Sequence, residues 1–91
     1  MNTLLISYDL GVPETSDDYK TVIDYIKSHN WAKPLLSLWL IKTDKESATV
    51  RGELMSMTDT NDRILVVDIT DDGWATARVP AEVTKWMENN V

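Results

Sequence analysis

The segment Arg63-Ile64-Leu65-Val66-Val67-Asp68-Ile69 constrains this chain more than any other part of it. A strand sends alternate side chains to opposite faces, so one row here is Ile64 and Val66 and the other is Leu65, Val67 and Ile69. Both rows are apolar, so both faces of the sheet containing this strand need cover. Helices lying between strands in the chain can cover one face. The other must meet the last helix or a second copy of the protein.

The other elements follow from periodicity and from residues that break it. Thr3 to Asp9 forms a first strand, with Leu4, Ile6 and Tyr8 on one row and Leu5, Ser7 and Asp9 on the other. Gly11 and Pro13 end it. Thr15 or Ser16 can cap a helix that places Asp17 and Asp18 in its first turn, where the helix dipole favours carboxylates. Tyr19, Val22, Ile23 and Ile26 carry that helix to about His29. Trp31 to Leu35 is a short strand, and Pro34 marks it as an edge, a bulge or a reversal. A stronger strand runs over Leu38 to Lys42. Ser47 can cap a second helix with Val50, Leu54 and Met57. The polar loop 58–62 leads into the strand 63–69. Asp71-Asp72-Gly73 is a turn signal, Trp74 to Val79 a short last strand, and Pro80 the start of a final helix bearing Val83, Trp86 and Met87. Asn89 and Asn90 are expected to fray. This order predicts one α+β domain over residues 1–91: a ferredoxin-like split βαβ (βαββαβ) with an added C-terminal strand and helix.

Composition limits the chemistry. Nine basic residues against 15 acidic ones give a net charge of −6. Nucleic-acid affinity comes largely from Lys and Arg on phosphates, so this balance argues against a nucleic-acid protein unless a local basic patch exists. With no Cys there is neither a disulfide framework nor a thiolate metal site, which suits a reducing cytoplasm. The first apolar run lacks a basic lead and is broken by Ser7 and Asp9, so it does not resemble a secretory signal. No apolar stretch is long enough to span a membrane.

Three segments carry a family resemblance. Leu5-Ile6-Ser7-Tyr8-Asp9-Leu10 resembles the opening strand of the small CRISPR-associated protein two. Asn30-Trp31 with Leu36-Ser37-Leu38-Trp39 resembles its central segment, and Asn61-Asp62-Arg63-Ile64-Leu65-Val66 its fourth strand. The pattern is more similar still to relatives outside CRISPR loci, often labelled SinR-like. The match spans roughly the first three-quarters of the chain. The resemblance implies a ferredoxin-like homodimer with stacked sheets, in which the strand after the fourth can cross to the partner. In some members the Asp ending the first strand is a nuclease residue, and one from each chain meets the other near the twofold axis around a divalent metal. Asp9 matches that position. Other members act as dimeric scaffolds that hold a partner integrase on DNA, and the more distant virulence-associated protein D family includes ribonucleases.

Two functions follow. The first is a non-catalytic homodimeric interaction or scaffold protein with an unidentified protein partner. The second is a metal-dependent endonuclease in which paired Asp9 carboxylates hold Mg²⁺ or Mn²⁺, which activates water against a phosphodiester. Nuclease or DNA-scaffold members tend to carry Arg or Lys after the first strand and along the first helix. Here Glu14, Asp17 and Asp18 stand there, with Lys20 alone nearby, and an acidic face repels a polyanion. Charge therefore favours the scaffold.

Other residues weigh less. Ser37 has no sequence-near base, and His29 stands alone at a helix end, where a capping role suits it. The Trp residues 31, 39, 74 and 86 suit packing or interfaces better than base stacking without a basic groove. Asp68 is expected to pair with Arg63 or Arg78 or to face solvent. The residues expected to share a dimer face are Leu5, Ser7, Trp39, Ile41, Leu65 and Val67. Strand parity supports each row, but register between strands is not legible, so the opposite assignment, with Leu4, Ile6 and Ile64 outward, stays open.

Overall fold

The structure, a computed structural model, describes residues 1–13 and 16–91. Its elements are β1 (Asn2–Asp9), α1 (Asp17–Lys27), β2 (Asn30–Leu35), β3 (Leu38–Thr43), α2 (Ser47–Met55), β4 (Arg63–Asp68) and α3 (Ala81–Asn90). Among the described residues the sheet has four strands, ordered β2-β3-β1-β4, with every neighbouring pair antiparallel. This is an α+β architecture compatible with the ferredoxin-like arrangement. No helix of the described residues is long and apolar enough to cross a membrane.

The register settles which row faces which way. Ile6 pairs with Trp39 and Val66, and Leu4 with Ile41. These side chains join Leu10, Val22, Ile26, Val50 and Leu54 in one core beneath α1 and α2. The spacing of Val22 and Ile26 puts both on the sheet side of α1, as Val50 and Leu54 are on that of α2. The opposite row contains Thr3, Leu5 and Ser7, paired with Lys42, Leu40, Val67 and Leu65. Four of the six residues expected to share one sheet face therefore do so. Leu5, Ser7, Leu65 and Val67 share the outer face, whereas Trp39 and Ile41 are core residues, 3% and 0% exposed. In β3 the outer positions are Leu38 and Leu40. Parity fixes a row within one strand, but the pairing of Leu5 with Leu40 fixes it between strands. The alternative with Leu4, Ile6 and Ile64 outward is also corrected, since Leu4 and Ile6 are fully buried and Ile64 packs against the same core.

The last helix covers part of the outer face. Met87 is buried against it and lines a groove with Leu5, Leu38 and Leu40. The end of α3 is pinned by the carbonyl of Asn90, which accepts from the Lys42 ammonium at 2.6 Å and from the Thr3 hydroxyl. Trp86 Nε1 donates to Asn30 Oδ1 at 2.8 Å, and Asn30 Nδ2 donates to Asn90 Oδ1 at 3.2 Å. Asn90 thus does not fray: it is tied to β1, β2 and β3, and Asn89 lies within the same helix. These contacts put α3 over β2 and β3. The β1–β4 half of the outer face is left open, with Leu65 57% and Val67 40% exposed.

The expected strand at Trp74–Val79 is not formed. The chain turns after β4, where Asp72 N–H donates to the Ile69 carbonyl and Asp71 takes a left-handed φ of 60°, which Asp tolerates. Residues 73–79 then run past the outer face without a hydrogen bond among the described residues. A lone strand needs a neighbour to satisfy its backbone, and the described residues supply none there.

Smaller differences concern helix starts. Ser16 occupies the N-cap of α1, but its side chain makes no capping bond. Thr15 and Glu14 lie outside the described residues. Glu46, one residue before Ser47, is the N-cap of α2.

Candidate functional site

Asp9 ends β1 at the rim of the sheet, where its Cα pairs with that of Arg63 at the start of β4. It is exposed, and among the described residues its carboxylate has no hydrogen bond or ion pair. Two depressions meet at it. One, of about 410 Å³, is lined by Tyr8, Asp9, Tyr19, Ile23, Lys33, Leu36 and Ser37. The other, of about 240 Å³, is lined by Asp9, Leu10, Gly11, Asn61 and Arg63.

Local structure explains why these groups gather. The hairpin between β2 and β3 turns through Leu36 and Ser37, with an irregularity in pairing between Ala32 and Leu35 where Pro34 removes a donor. Its tip is tied to β1 by Ser7 Oγ, which donates to the Ser37 carbonyl at 2.7 Å. Tyr19 on the first turns of α1 meets Tyr8 on β1, ring centroids 5.9 Å apart. On the other side the loop after β1 is held by Asp62. Its Oδ1 accepts from Gly11 N–H and its Oδ2 from Asp59 N–H, both at 2.8 Å. Asp62 is thus committed to backbone donors, whereas Asp9 is not.

Among the described residues, one chain offers a single free carboxylate at this rim. Among the described residues there is no group of three His, Cys, Asp or Glu that could hold a metal ion. Mg²⁺ needs only one or two carboxylates when waters and phosphates complete its shell. Asp9 of one chain meets the lower end of that requirement, and a second Asp9 brought alongside would meet the upper.

The remaining candidates have structural partners. His29 Nδ1 lies 3.0 Å from the Tyr25 carbonyl at the end of α1, the capping position its sequence suggests. Asp68 pairs with neither arginine: its Oδ1 accepts from Thr70 N–H and Oγ1, at 2.9 and 2.5 Å. Those bonds hold its carboxyl below the usual carboxylate range. Tyr25 donates to Glu53 Oε2 at 2.5 Å, and Lys45 reaches the same oxygen at 2.9 Å. Burial, then the bond to Glu53, pushes the Tyr25 phenol up, while the Tyr25 and Lys45 bonds hold Glu53 down. This cluster clamps α1 to α2.

Sequence reasoning missed the Lys and Tyr members of the rim. Lys33 lies on β2 with its Nζ 4.6 Å from the Trp39 ring centroid, while Lys27 stands 5.1 Å from that of Trp31. Tyr8 and Tyr19 are separated by a loop and meet only once α1 folds back. No spacing in the chain announces either contact. Compared with known proteins, the chain matches no family model, and no solved structure matches it.

Proposed function

We propose that this protein acts as a homodimeric interaction module in which a second copy covers the open half of the outer sheet face. The observation that carries this is the apolar pair left wetted there, Leu65 and Val67, with Leu5 half-buried beside Val67 and the exposed Trp74 at the groove that Leu5 also lines. Isolated exposed apolar residues need no explanation, but a contiguous set on a sheet face does.

The sheet edges support the same partner. The β2 edge carries Pro34 and Lys33, both of which discourage pairing. The β4 edge has no proline and an apolar centre, Ile64 to Val67. The 73–79 segment that follows β4 lines the outer-face groove with Leu5, Leu38 and Leu40, and its backbone has no hydrogen bond among the described residues. In a dimer, this segment of each copy can pair with the β4 edge of the other. Area favours that pairing. A molecule of 34 × 27 × 19 Å has a broad face of roughly 900 Å² in projection, part of it under α3, whereas a stable interface needs about 800 Å² per partner. Strand exchange would add to the area that stacked faces supply. The resemblance to the CRISPR-associated protein two and SinR-like group suggests the same dimer. The lack of Cys suits a cytoplasmic setting.

The second reading is a metal-dependent endonuclease. One observation favours it: Asp9 continues the outer row of Leu5 and Ser7, so stacking two outer faces brings the two carboxylates toward each other. Against it stand the net charge of −6 and the single carboxylate per chain. Light scattering and a cleavage assay separate the readings. The scaffold reading expects a dimer that leaves RNA and DNA intact with Mg²⁺ or Mn²⁺. Cleavage that disappears in Asp9→Asn while the dimer persists supports the nuclease instead, and a monomer at micromolar concentration defeats both.

A further inference from the structure

We infer that the rim cleft between β1, α1 and the β2–β3 hairpin binds a small zwitterion of the amino-acid type with an aromatic or large aliphatic side chain. Neither the dimer nor the nuclease reading is needed for this.

The cleft holds one unneutralised charge of each sign. Asp9 and Lys33 line the same 410 Å³ cleft, yet they do not pair with each other. Among the described residues neither has another ion-pair partner. Lys20 and Lys45, by contrast, each have a carboxylate, Asp24 and Glu53. Lys33 instead rests over the Trp39 indole, which steadies a cation without neutralising it. A lone anion entering the cleft meets Asp9, and a lone cation meets Lys33. A ligand carrying one charge of each sign, spaced apart, satisfies both.

Most of the remaining wall is apolar and aromatic. Tyr19 and Ile23 face it from α1, Tyr8 from β1 and Leu36 from the hairpin tip. Such a wall suits a ring or a branched aliphatic chain. The volume lies in the range of small-ligand sites, roughly 300–1,000 Å³, and toward its lower end, which fits a single amino acid better than a longer peptide. Ser37 adds a hydroxyl able to donate to the ligand carboxylate or accept from its ammonium.

The test uses the full chain and three probes: L-phenylalanine, phenethylamine, which lacks the carboxylate, and 3-phenylpropionate, which lacks the amine. Each is titrated into ¹⁵N-labelled protein at neutral pH while amide shifts are followed. Phenylalanine is expected to give saturable shifts clustered at Tyr8, Tyr19, Lys33 and Ser37. Each singly charged probe binds about 10-fold more weakly or worse, and Lys33→Met and Asp9→Asn each weaken phenylalanine by about 10- to 100-fold, as expected for losing one charged hydrogen bond. Dispersed spectra of both variants show that they remain folded. The inference is overturned if phenylalanine gives no saturable shifts at the cleft into the millimolar range, if either singly charged probe binds as tightly, or if Lys33→Met leaves the affinity unchanged.

Discussion

Replacing Met87 by Ala tests whether α3 is an integral part of the fold or a loosely attached tail. Met87 is 6% exposed and lies over the outer sheet face with Leu5, Leu38 and Leu40. Truncating a buried Met to Ala costs about 2–5 kcal/mol, transfer and cavity terms together. The site borders an open groove, so neighbours can relax into the space and the lower end applies, about 2–3 kcal/mol. For a domain of this size each kcal/mol moves the midpoint of thermal unfolding by about 4–8 °C, so a fall of about 8–24 °C is expected. Urea unfolding followed by far-ultraviolet circular dichroism gives the free energy directly. Repeating it at several protein concentrations separates loss of α3 packing from any loss of dimer. Glu88→Ala, on the solvent side of the same helix, is the control and should stay within about 0.5 kcal/mol of the parent. Lys42→Met removes a donor from the Asn90 carbonyl and should cost about 1 kcal/mol, discounted because the ammonium is partly wet. If Met87→Ala behaves like Glu88→Ala, α3 does not cover the sheet and the division of the outer face into two halves is wrong.

Three further outcomes are expected. Leu65 keeps 57% of its surface in one chain, so burying the rest stabilises each protomer by about 1–1.7 kcal/mol; Leu65→Ser should weaken the dimer by about 30- to 300-fold in sedimentation equilibrium, and an unchanged constant counts against that interface. Each protomer carries a charge of −6, and Asp68, Asp71 and Asp72 are exposed around Val67 and Trp74, so added salt should tighten the dimer; weakening by salt contradicts an interface with this rim. The Tyr25–Glu53 bond should contribute about 1 kcal/mol after allowance for exposure. Glu53 is depressed when folded, so its contribution is present above its ordinary value of 4.5 and lost as pH falls below it; Tyr25 is raised, so its contribution is present below 10.0 and lost as pH climbs beyond. The stability gap between parent and Tyr25→Phe should therefore be flat between those limits and close outside them, and a gap independent of pH refutes the assignment.

Elements with strong periodicity were legible from the chain alone. The doubly apolar row in 63–69, the Val22–Ile26 and Val50–Leu54 spacings and the breaks at Gly11 and Pro34 each correspond to an element or boundary in the structure. Relations between elements were not legible. Trp39 and Ile41 have the right parity for either face, and only their pairing with Ile6 and Leu4 turns them inward. Trp74–Val79 has strand composition, but a strand also needs a neighbour, which sequence does not reveal. Asn90 looked like a fraying end because its anchors, Lys42 and Thr3, lie far away in the chain. At the rim, the Asp9 carboxylate stood out from its place at the end of a strand. Lys33 and Tyr19 reach the same cleft only through the folding of α1 and the hairpin.

The claim on which the rest depends is that Leu5, Leu65 and Val67 of one copy lie against another copy. An isotope-filtered NMR experiment on an equal mixture of ¹³C-labelled and unlabelled protein observes this contact itself. Cross-peaks between protomers from the Leu65 and Val67 methyl groups are expected. If no such cross-peaks appear and those methyls relax as in a 10.4 kDa monomer, the open half of the sheet is solvent-facing and the proposed assembly is contradicted.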